Sequence, residues 1–492
     1  MAQSNLTSEE RTLCKLIAHA GTTNHFSNER LELDRRIGNS GPGASKKTIF
    51  SNLMGRIKHL VAELKSSGRG DVRNYGDEDR DIVGFTFLFH LFHYYMPHFD
   101  EHILKQIDSA NAPLPVAFAR DALRNFAVYG FGKDVALEFF SIFFQLRRAY
   151  FFIEERLVGE SDCMRQLRID LWNNIFTCDQ IFYRHHLLGK MEDFSTLILG
   201  ETGTGKGTAA AAIGRSGFIP FNPSTDTFAQ SFTNAFVSLN LSQFPEGILE
   251  SELFGHKKGA FTGAVESHEG VFDRCSSHGS IFLDEIGDVS IPVQIKLLQV
   301  LQDRTFTPVG SHDRRRFSGR VIGATNKDID ELRRSGTFRN DFFYRLCSDI
   351  ITVPSLAERI RQDRNELSLL VGHLTAQITG SDDAEVIATI QQTIDEQVGG
   401  AYHWPGNVRE LEQCIRRILL KRSYRGDKLS EGVDEISQIA QGIRAETLCA
   451  DELLAQYCRS LYKRHKNYEA VARIAGLDRR TVKKHIDWAR HA

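Results

Sequence analysis

The most chemically suggestive part of the chain is a glycine-rich segment that begins where a short apolar run ends. Thr196–Leu199 leads into Gly200–Lys206, and a helix-forming stretch follows from Thr208. Glycines let backbone N–H groups turn towards phosphates, a helix N-terminus adds positive potential, and a lysine can reach the β- and γ-phosphates. The segment predicts a nucleotide-binding loop, against the plainer alternative of a glycine-rich turn. Gly207 stands where such loops carry Ser or Thr.

Two adjacent carboxylates end a second apolar run. Ile281–Leu283 leads directly into Asp284 and Glu285, seventy-eight residues after Lys206 (284 − 206). An aspartate at such a strand end suits holding Mg²⁺, and a neighbouring glutamate suits polarising an attacking water. Carboxylates often cap strands, but this pair follows a phosphate-binding loop at a fixed distance, which favours ATP hydrolysis.

Further polar residues follow a third apolar run. Arg320–Ala324 ends in Thr325 and Asn326, and an amide there can contact the γ-phosphate or water. Arg339 and Arg345 lie six residues apart downstream. Arginines that reach a neighbouring subunit's nucleotide accelerate phosphoryl transfer by about 10³–10⁵ where measured. The alternative is a surface salt bridge, because Asp341 lies between them.

A hexapeptide between Lys206 and Asp284 has a composition suited to a mobile, exposed loop. It reads Gly259, Ala260, Phe261, Thr262, Gly263 and Ala264. Gly and Ala leave the backbone free, and an aromatic at the tip of such a loop suits contact with a partner. By itself the hexapeptide is equally typical of a glycine-rich surface turn.

The elements that must position these residues show a clear change near residue 196. Short apolar runs at 196–199, 235–239, 280–283 and 320–324 alternate with helical stretches, which predicts buried strands of a parallel sheet with ligands at their carboxyl ends. Residues 354–424 return to a helical pattern. Residues 1–190 look helical and rich in phenylalanine, and Pro97 is expected to interrupt the helix there. Four histidines lie close together in this region, and we interpret them as core or surface residues in preference to metal ligands: His90, His93, His98 and His102.

The C-terminal segment is basic within a nearly neutral chain. Residues 451–492 contain ten Lys and Arg against five Asp and Glu, a local charge of +5, whereas the whole chain carries −2. Tyr468–Ile474 predicts a helix, Gly476 a turn, and Asp478 the N-cap of a second helix over Arg479–Arg490. This pattern fits a helix-turn-helix, with a basic amphipathic tail as the alternative.

Composition restricts the remaining classes. The 492 residues suggest about three domains, and no global charge bias favours nucleic acid or membrane. The eight cysteines include no CxxC pair, which is typical of reduced thiols. No signal pattern opens the chain, and the longest apolar stretch, 83–96, is too short to span a bilayer. We therefore expect a cytoplasmic protein with no membrane partner.

Together these residues resemble the bacterial enhancer-binding activators of sigma-54 RNA polymerase, which are AAA+ ATPases. The resemblance covers about Phe194–Lys421 and the C-terminal module, which resembles the Fis-type DNA-binding module of the same activators. The hexapeptide matches the family's GAFTGA loop letter for letter. The other specific stretches are Glu250–His256, Phe282–Asp288, Gly323–Asn326 and Trp404–Leu411.

The resemblance implies an α/β AAA+ P-loop ATPase domain with a helical lid. A mainly α N-terminal domain would precede it, and an all-α helix-turn-helix domain would follow it. The implied ranges are 1–190 for a helical regulatory or sensor domain of unknown ligand, 191–353 for the α/β subdomain, 354–424 for the lid, 425–450 for a linker and 451–492 for the DNA-binding domain.

The resemblance also implies a role for each matching residue. Asp284 would organise Mg²⁺, Glu285 would be the catalytic glutamate, and Asn240 would hold that glutamate inactive until the nucleotide state changes. Asn326 resembles the first sensor, and Arg339 and Arg345 resemble arginines given to the adjacent subunit. The ATP-binding set is Gly200, Glu201, Thr202, Gly203, Thr204, Gly205, Lys206, Gly207, Thr208 and the second sensor Arg409. The hexapeptide would contact sigma-54, and the groove and phosphates of DNA would meet Arg479, Arg480, Thr481, Lys483, Lys484 and His485.

The implied function is a DNA-bound activator that hydrolyses ATP to remodel sigma-54 RNA polymerase and open promoters. It would bind upstream enhancer sites in double-stranded DNA and act as a homo-oligomer, usually a hexamer, under N-terminal control. A DNA-binding repressor whose ATPase sets only the oligomeric state is the alternative, as is a remodeller of another protein. Two departures from the family are Gly207 in place of Glu and a longer, irregular segment at 213–236, which predicts an enlarged loop near the site. The N-terminal region leaves open an apolar ligand, a regulatory protein or contact with the ATPase ring.

Overall fold

The computed structural model describes residues 5–109, 112–400, 402–424 and 448–488, together with residues 426, 439 and 443. The chain forms two compact units. One comprises Met1–Asp382 with Gly406–Glu412, and the other comprises Asp383–Pro405 with Gln413–Ala492. Among the described residues, no helix is both long and apolar enough to cross a membrane.

A five-stranded parallel sheet forms the centre of the first unit. The strands of the described chain are β1 (Thr196–Leu199), β2 (Phe221–Asn222), β3 (Thr227–Phe228), β4 (Phe236–Asn240), β5 (Ser280–Asp284), β6 (Thr305–Phe306), β7 (Arg315–Arg316), β8 (Arg320–Thr325) and β9 (Asp349–Thr352). The central sheet has the order β4-β5-β8-β1-β9. The four strands predicted from apolar runs are confirmed to within one residue, and β9 is additional.

The N-terminal region is helical, as predicted. Its helices are Ser8–Thr22, Asn28–Gly38, Lys46–Ser66, Asp77–Asp108, Ala119–Val128, Lys133–Tyr150, Asp162–Phe176 and Gln180–Phe182, with 3₁₀ turns at Val72–Asn74 and Met191–Asp193 and π-helical turns at Phe151–Glu155 and Tyr183–Leu187. The expectation that Pro97 interrupts a helix is wrong, because Asp77–Asp108 passes through it. Pro97 lies on the exposed side of that helix, so its ring needs no room in the core.

Helices also cover the sheet and continue beyond it. Those of residues 200–348 are Lys206–Gly214, Glu246–Phe254, Val271–Arg274, Ile291–Asp303, Ile329–Arg334 and Asn340–Leu346, with 3₁₀ turns at Leu241–Gln243 and Ile286–Asp288. The region predicted as a lid contains Leu356–Gln362, Asn365–Thr379, Ala384–Gln397 and Asn407–Lys421. The C-terminal helices are Ala450–His465, Tyr468–Ala475 and Arg479–Trp488.

The two faces of the sheet belong to different apolar clusters. Ile198, Phe282 and Ile322 face a cluster that continues through the N-terminal helices. Leu197, Ile281 and Val321 alternate with them and face a second cluster. The N-terminal helices therefore supply one layer of the core across the boundary predicted at residue 190.

The segment 213–236 is not an open loop beside the nucleotide site. The helix that follows the nucleotide loop continues to Gly214, and β2 and β3 then pair as an antiparallel hairpin. Phe228 of this hairpin stacks on Phe144 of helix Lys133–Tyr150 with a ring separation of 3.8 Å, and Phe221 meets Phe140 at 5.0 Å. The expectation of an enlarged loop is corrected: the extra residues pack on the N-terminal helices because their phenylalanines find apolar partners there.

Candidate functional site

The nucleotide loop joins β1 to helix Lys206–Gly214 at the carboxyl edge of the sheet. The Lys206 ammonium donates hydrogen bonds to the carbonyl oxygens of Gly200 at 2.9 Å and Glu201 at 3.1 Å. Lys206 is only 7% exposed, and desolvation lowers the pKa of its amine despite the nearby carboxylates of Glu285 and Asp284. A buried ammonium that has only carbonyl partners is well suited to receive a phosphate anion.

The loop is folded tightly against the segment 406–409. Gly203 has a φ of +81°, and a β-carbon there would lie 2.2 Å from the Gly406 carbonyl oxygen and 2.9 Å from Cβ of Arg409. The Arg409 N–H donates to the Gly203 carbonyl at 3.3 Å. Gly203 is therefore required both by backbone conformation and by contact, and the Arg409 backbone lies beside the loop.

A buried asparagine connects the nucleotide loop to the start of the lid, and the prediction of site residues did not include it. Asn407 is fully buried, and its Nδ2 donates to Glu201 Oε2 at 3.0 Å and to the Thr202 carbonyl at 3.1 Å. Its Oδ1 accepts the Leu356 N–H at 2.7 Å. The available signal was its place in the specific Trp404–Leu411 stretch, where a buried amide can satisfy two separate backbones.

The carboxylates at the end of β5 occupy unequal environments. Asp284 accepts the Glu285 N–H at 3.1 Å. Glu285 adopts a left-handed backbone, with φ +57° and ψ +45°, and its Oε2 is buried without a hydrogen-bond partner among the described residues. Burial and the charge of Asp284 raise the pKa of Glu285. A carboxylate with an unpartnered oxygen, on a left-handed backbone and near Lys206, has the pattern of a functional rather than a structural residue.

The two asparagines predicted at strand ends meet the site differently. Asn326, after β8, donates from Nδ2 to Thr202 Oγ1 of the nucleotide loop at 2.8 Å. Asn240 pairs in register with Asp284, but its Oδ1 accepts the N–H and Oγ of Ser242 at 3.0 and 2.8 Å. Asn326 therefore contacts the nucleotide loop directly, whereas Asn240 caps the next turn beside the carboxylates.

Arg339 and Arg345 lie at opposite ends of helix Asn340–Leu346. Arg339 pairs with Asp341 at 2.7 Å, and both side chains are partly exposed. Arg345 donates from Nε to the Leu301 carbonyl at 2.8 Å. Within this single chain neither guanidinium contacts the nucleotide loop. If these arginines act on ATP, the ATP must therefore be bound to another subunit.

The carboxyl edge offers donors suited to a magnesium ion. No group of three or more His, Cys, Asp or Glu residues in the described part of the chain is arranged to hold a metal. Asp284 and Glu285 still supply carboxylate oxygens next to the phosphate-binding lysine, and the unpartnered Glu285 Oε2 needs a donor or a cation. A hard cation that keeps several waters and shares phosphate oxygens fits such a pair of carboxylates.

The hexapeptide 259–264 has a fixed base and an open tip. At the base, His256 exchanges two backbone hydrogen bonds with His268, both at 3.0 Å, and its ring bonds Ser251 Oγ at 2.6 Å. At the tip, Phe261 is 43% exposed and touches only the His256 ring edge-on among described aromatics, at 4.9 Å. Gly259 and Gly263 have φ of +82° and +100° with open space around them, so their requirement is conformational.

The C-terminal helices form a small core with a basic outer face. Val471, Val482 and Ile486 pack with Cys458, and Gly476 turns the chain at φ +64°. Asp478 caps the last helix by accepting the N–H groups of Arg480 at 2.8 Å and Thr481 at 3.0 Å. Four of the six predicted DNA-binding residues are exposed: Arg479, Arg480, Lys483 and Lys484. The other two, Thr481 and His485, are half-buried. The predicted extension of this helix to Arg490 lies partly outside the described residues.

The parallel sheet, the phosphate-binding loop at its carboxyl edge and the adjoining lid helices define a P-loop ATPase fold of the AAA+ type. Comparison with known proteins agrees. The family model described as the sigma-54 interaction domain matches residues 180–352, and the AAA+ ATPase lid domain model matches residues 361–431.

Individual relatives match over part of their length. The chain is 38% identical over 229 residues to the regulatory protein AtoC of Escherichia coli (strain K12), which is 46% of each chain. It is 34% identical over 272 residues to an uncharacterized protein in the HyuA 5'region of Pseudomonas sp. (strain NS671), covering 54% of this chain and 85% of that protein. The crystal structure of NtrX from Brucella abortus in complex with ATP matches at 21% identity with a TM-score of 0.41, over 75% of this chain and 80% of that one.

On the family models and the curated relatives, the chain belongs to the sigma-54-dependent activator family of AAA+ ATPases. It spans about half the length of the first curated relatives that it matches.

Proposed function

We propose that this protein is an ATP-driven transcriptional activator that remodels sigma-54 RNA polymerase to open promoters. The observation that carries the proposal is the exposed tip of the hexapeptide 259–264 in the same unit as a complete nucleotide edge. Phe261 is the large apolar side chain at that tip, with 43% of its surface open to a partner. A polymerase-bound sigma-54 is the partner that the matched interaction-domain family implies.

The chain's own residues suggest how hydrolysis would proceed. Lys206 would exchange its two carbonyl partners for phosphate oxygens. Asp284 would hold Mg²⁺, which supplies positive charge against the β- and γ-phosphates. Glu285, whose raised pKa reflects burial, would orient and polarise the attacking water. Asn326, which donates to Thr202, would contact the γ-phosphate.

One helix links this edge to the hexapeptide. Asn240 ends β4, helix Glu246–Phe254 begins six residues later, and the base of the hexapeptide follows at His256. Lys296 of helix Ile291–Asp303 pairs with Glu250 on this helix at 2.6 Å. If Asn240 exchanged its contact with Ser242 for one with Glu285, the helix start would move, and the helix would carry that movement to the tip.

Assembly and DNA binding complete the proposal. Arg339 and Arg345 act on ATP only if a second copy lies beside them, which favours a homo-oligomeric ring, most simply a hexamer. We assign residues 1–190 to regulation, 191–353 and 354–424 to the ATPase, and 425–450 to a linker. Residues 451–492 would bind upstream double-stranded DNA, with Lys483 and Lys484 on the phosphates.

The first experiment separates binding from hydrolysis. Glu285→Gln keeps the shape but loses the charge, so we expect ATP affinity to be retained and turnover to fall by about 10²–10⁴. Equilibrium binding of ATP and release of phosphate measure the two. Normal turnover would remove Glu285 from the mechanism.

The second experiment separates the proposed activator from a repressor whose ATPase only sets the oligomeric state. Thr262→Val removes a hydroxyl from the tip while leaving the base intact, so ATP hydrolysis should stay near the wild-type rate while promoter opening by sigma-54 polymerase is lost. Ser267→Ala is the matched control, because it removes an exposed hydroxyl just beyond the hexapeptide, and it should open promoters normally. A Thr262→Val variant that opens promoters would argue for the repressor.

A further inference from the structure

A cavity of about 880 Å³ lies within the N-terminal helical region. Its wall comes from segments far apart in the sequence and includes aromatic side chains such as Phe26, Phe89, Phe143 and Trp172. Exposed members of the wall such as Lys46, Phe50 and Ile181 mark where the cavity meets solvent. Its volume lies in the range of pockets that enclose small organic molecules.

The polar atoms of the wall define what such a molecule needs. The His93 Nδ1 donates to the Phe89 carbonyl at 2.9 Å, so the neutral ring presents Nε2 as a hydrogen-bond acceptor, and Nε2 has no partner among the described residues. Burial lowers the pKa of His93 to about 3 and holds the pKa of His25 well below its ordinary value. Both rings are therefore uncharged at neutral pH.

The aromatic side chains of the wall pack on one another. His93 stacks on Phe89 with ring centroids 4.3 Å apart and meets Phe92 edge-on at 5.1 Å. His25 meets Tyr150 at 4.8 Å, and Phe26 stacks on Tyr150 at 5.9 Å. Rings packed on one another in this way offer flat apolar faces on which an aromatic guest can stack.

The buried arginines of the wall are already paired, whereas its two lysines, Lys46 and Lys47, are exposed at the solvent edge. Arg30 bonds Asp34 at 2.8 Å and the Ala20 carbonyl at 2.9 Å, Arg147 bonds Asp100, and Arg168 bonds Glu154 at 3.1 Å. An anionic guest would have to compete with these carboxylates and lose its own hydration, whereas an uncharged guest avoids both penalties.

We propose that this cavity binds an uncharged aromatic small molecule that carries a hydrogen-bond donor, with His93 Nε2 as the acceptor of that hydrogen bond. The site lies outside the nucleotide edge, the hexapeptide and the basic C-terminal face. Its test does not depend on ATP hydrolysis, so its failure and the failure of the proposed function are distinguishable.

The guest's charge is tested with two fluorescent probes that share one ring framework. N-phenyl-1-naphthylamine is uncharged, and 8-anilino-1-naphthalenesulfonate adds a sulfonate. With the full chain we expect saturable binding of the uncharged probe at one site, and about tenfold weaker binding of the sulfonate at that site. Equal affinities would overturn the assignment to an uncharged guest.

Location is tested by filling the cavity. Gly21 lines it, and a β-carbon there would meet Phe89 at 3.6 Å, an ordinary contact in a helical glycine. Gly21→Leu should weaken N-phenyl-1-naphthylamine binding by about tenfold or more. Gly55→Leu is the matched control, because Gly55 is also helical, is exposed, and has open space around it. Unchanged binding by Gly21→Leu, or equal losses in both variants, would place the probe elsewhere.

The hydrogen bond is tested by competition. 2-Naphthol carries a donor and 2-methoxynaphthalene does not, and we expect the naphthol to displace the probe about three- to tenfold more effectively. His93→Phe keeps a ring against Phe89 but removes the acceptor, so this preference should disappear while 2-methoxynaphthalene competes as before. A preference that survives in His93→Phe would overturn the role of His93.

Discussion

Of the attachments that join the N-terminal helices to the rest of the first unit, two are built on opposite principles. The aromatic attachment consists of Phe140 and Phe144 packed against Phe221, Phe228 and Phe232 of the segment 213–236. The polar attachment joins the backbone of 158–161 to a buried ion pair between Arg359 and Glu366, 2.7 Å apart. The first is dominated by the packing of rings, and the second is a set of directional bonds around two charges.

The polar attachment is highly specified. Glu366 is fully buried and accepts the N–H groups of Glu160 and Ser161, while Arg359 donates to the Val158 carbonyl. Gly159 has a φ of +138°, and a β-carbon there would lie 2.6 Å from both Arg359 Nη2 and Glu366 Oε2. Each partner is satisfied only in this arrangement, so the attachment is either fully formed or broken.

Position distinguishes the two attachments further. Val158, Gly159 and Glu160 are also part of the cavity wall. Arg359 belongs to helix Leu356–Gln362. The first N–H of this helix donates to Asn407, and the Asn407 side chain also donates to the nucleotide loop. We infer that the aromatic attachment holds the helices in place and the polar one relays the state of the cavity to the nucleotide loop.

The largest expected effect comes from breaking the polar attachment. Glu366→Gln leaves Arg359 buried without its counter-charge, which should lower the free energy of unfolding by about 3–5 kcal/mol. Urea titration measures this. Glu9→Gln, at an exposed glutamate of the first helix, is the control and should change stability by less than about 0.5 kcal/mol.

The same variant tests the relay. If the polar attachment communicates, the cavity probe should change ATP affinity in the wild-type chain and leave it unchanged in Glu366→Gln. Thermodynamic reciprocity requires ATP to change probe affinity by the same factor. A Glu366→Gln chain that folds and keeps the full coupling would assign the relay to the aromatic attachment instead.

These attachments also show where reasoning from sequence succeeds. The strand ends that carry the nucleotide loop, Asp284 with Glu285, and Asn326 are predicted to within one residue, because each depends on a short local pattern. Arg359 and Glu366 are seven residues apart on one segment, but their partners lie about two hundred residues upstream, and no local pattern indicates such a pairing. For the same reason, no local pattern indicates where the phenylalanines at 218–232 pack. Their helical partners precede them by about eighty residues.

The next effect concerns the aromatic attachment. Phe228 is 2% exposed and stacks on Phe144, so Phe228→Ala should cost about 3 kcal/mol through lost burial and a remaining cavity. Phe182→Ala, at a phenylalanine that is 49% exposed, is the control and should cost much less. The coupling between the probe and ATP should persist in Phe228→Ala. Loss of coupling there would mean that the two attachments do not divide strength from communication.

A smaller effect is expected from acid. Burial raises the pKa of Glu366, but the hydrogen bonds from Ser161 and the charge of Arg359 outweigh it, so its pKa lies below the ordinary value. A carboxyl with a lowered pKa in the folded state contributes stability that is complete above its unfolded pKa, about 4.3, and is lost as pH falls through the folded pKa. The free energy of unfolding should therefore decline more steeply below about pH 4.3 in wild type than in Glu366→Gln.

The smallest effect belongs to an ion pair that accompanies the aromatic attachment. Arg120 bonds Asp226 at 2.6 Å, but Arg120 is 81% exposed, and the Val116 N–H still bonds the Asp226 carbonyl at 2.8 Å when the guanidinium is removed. Arg120→Ala should therefore change stability by at most about 1 kcal/mol, because water competes for both charges and salt screens them. A double-mutant cycle with Asp226→Asn, which suits the left-handed backbone of this residue at φ +54°, isolates the pair. A coupling energy well above about 1 kcal/mol would show that charge, and not the rings, fixes the hairpin, and the contrast between the two attachments would fail.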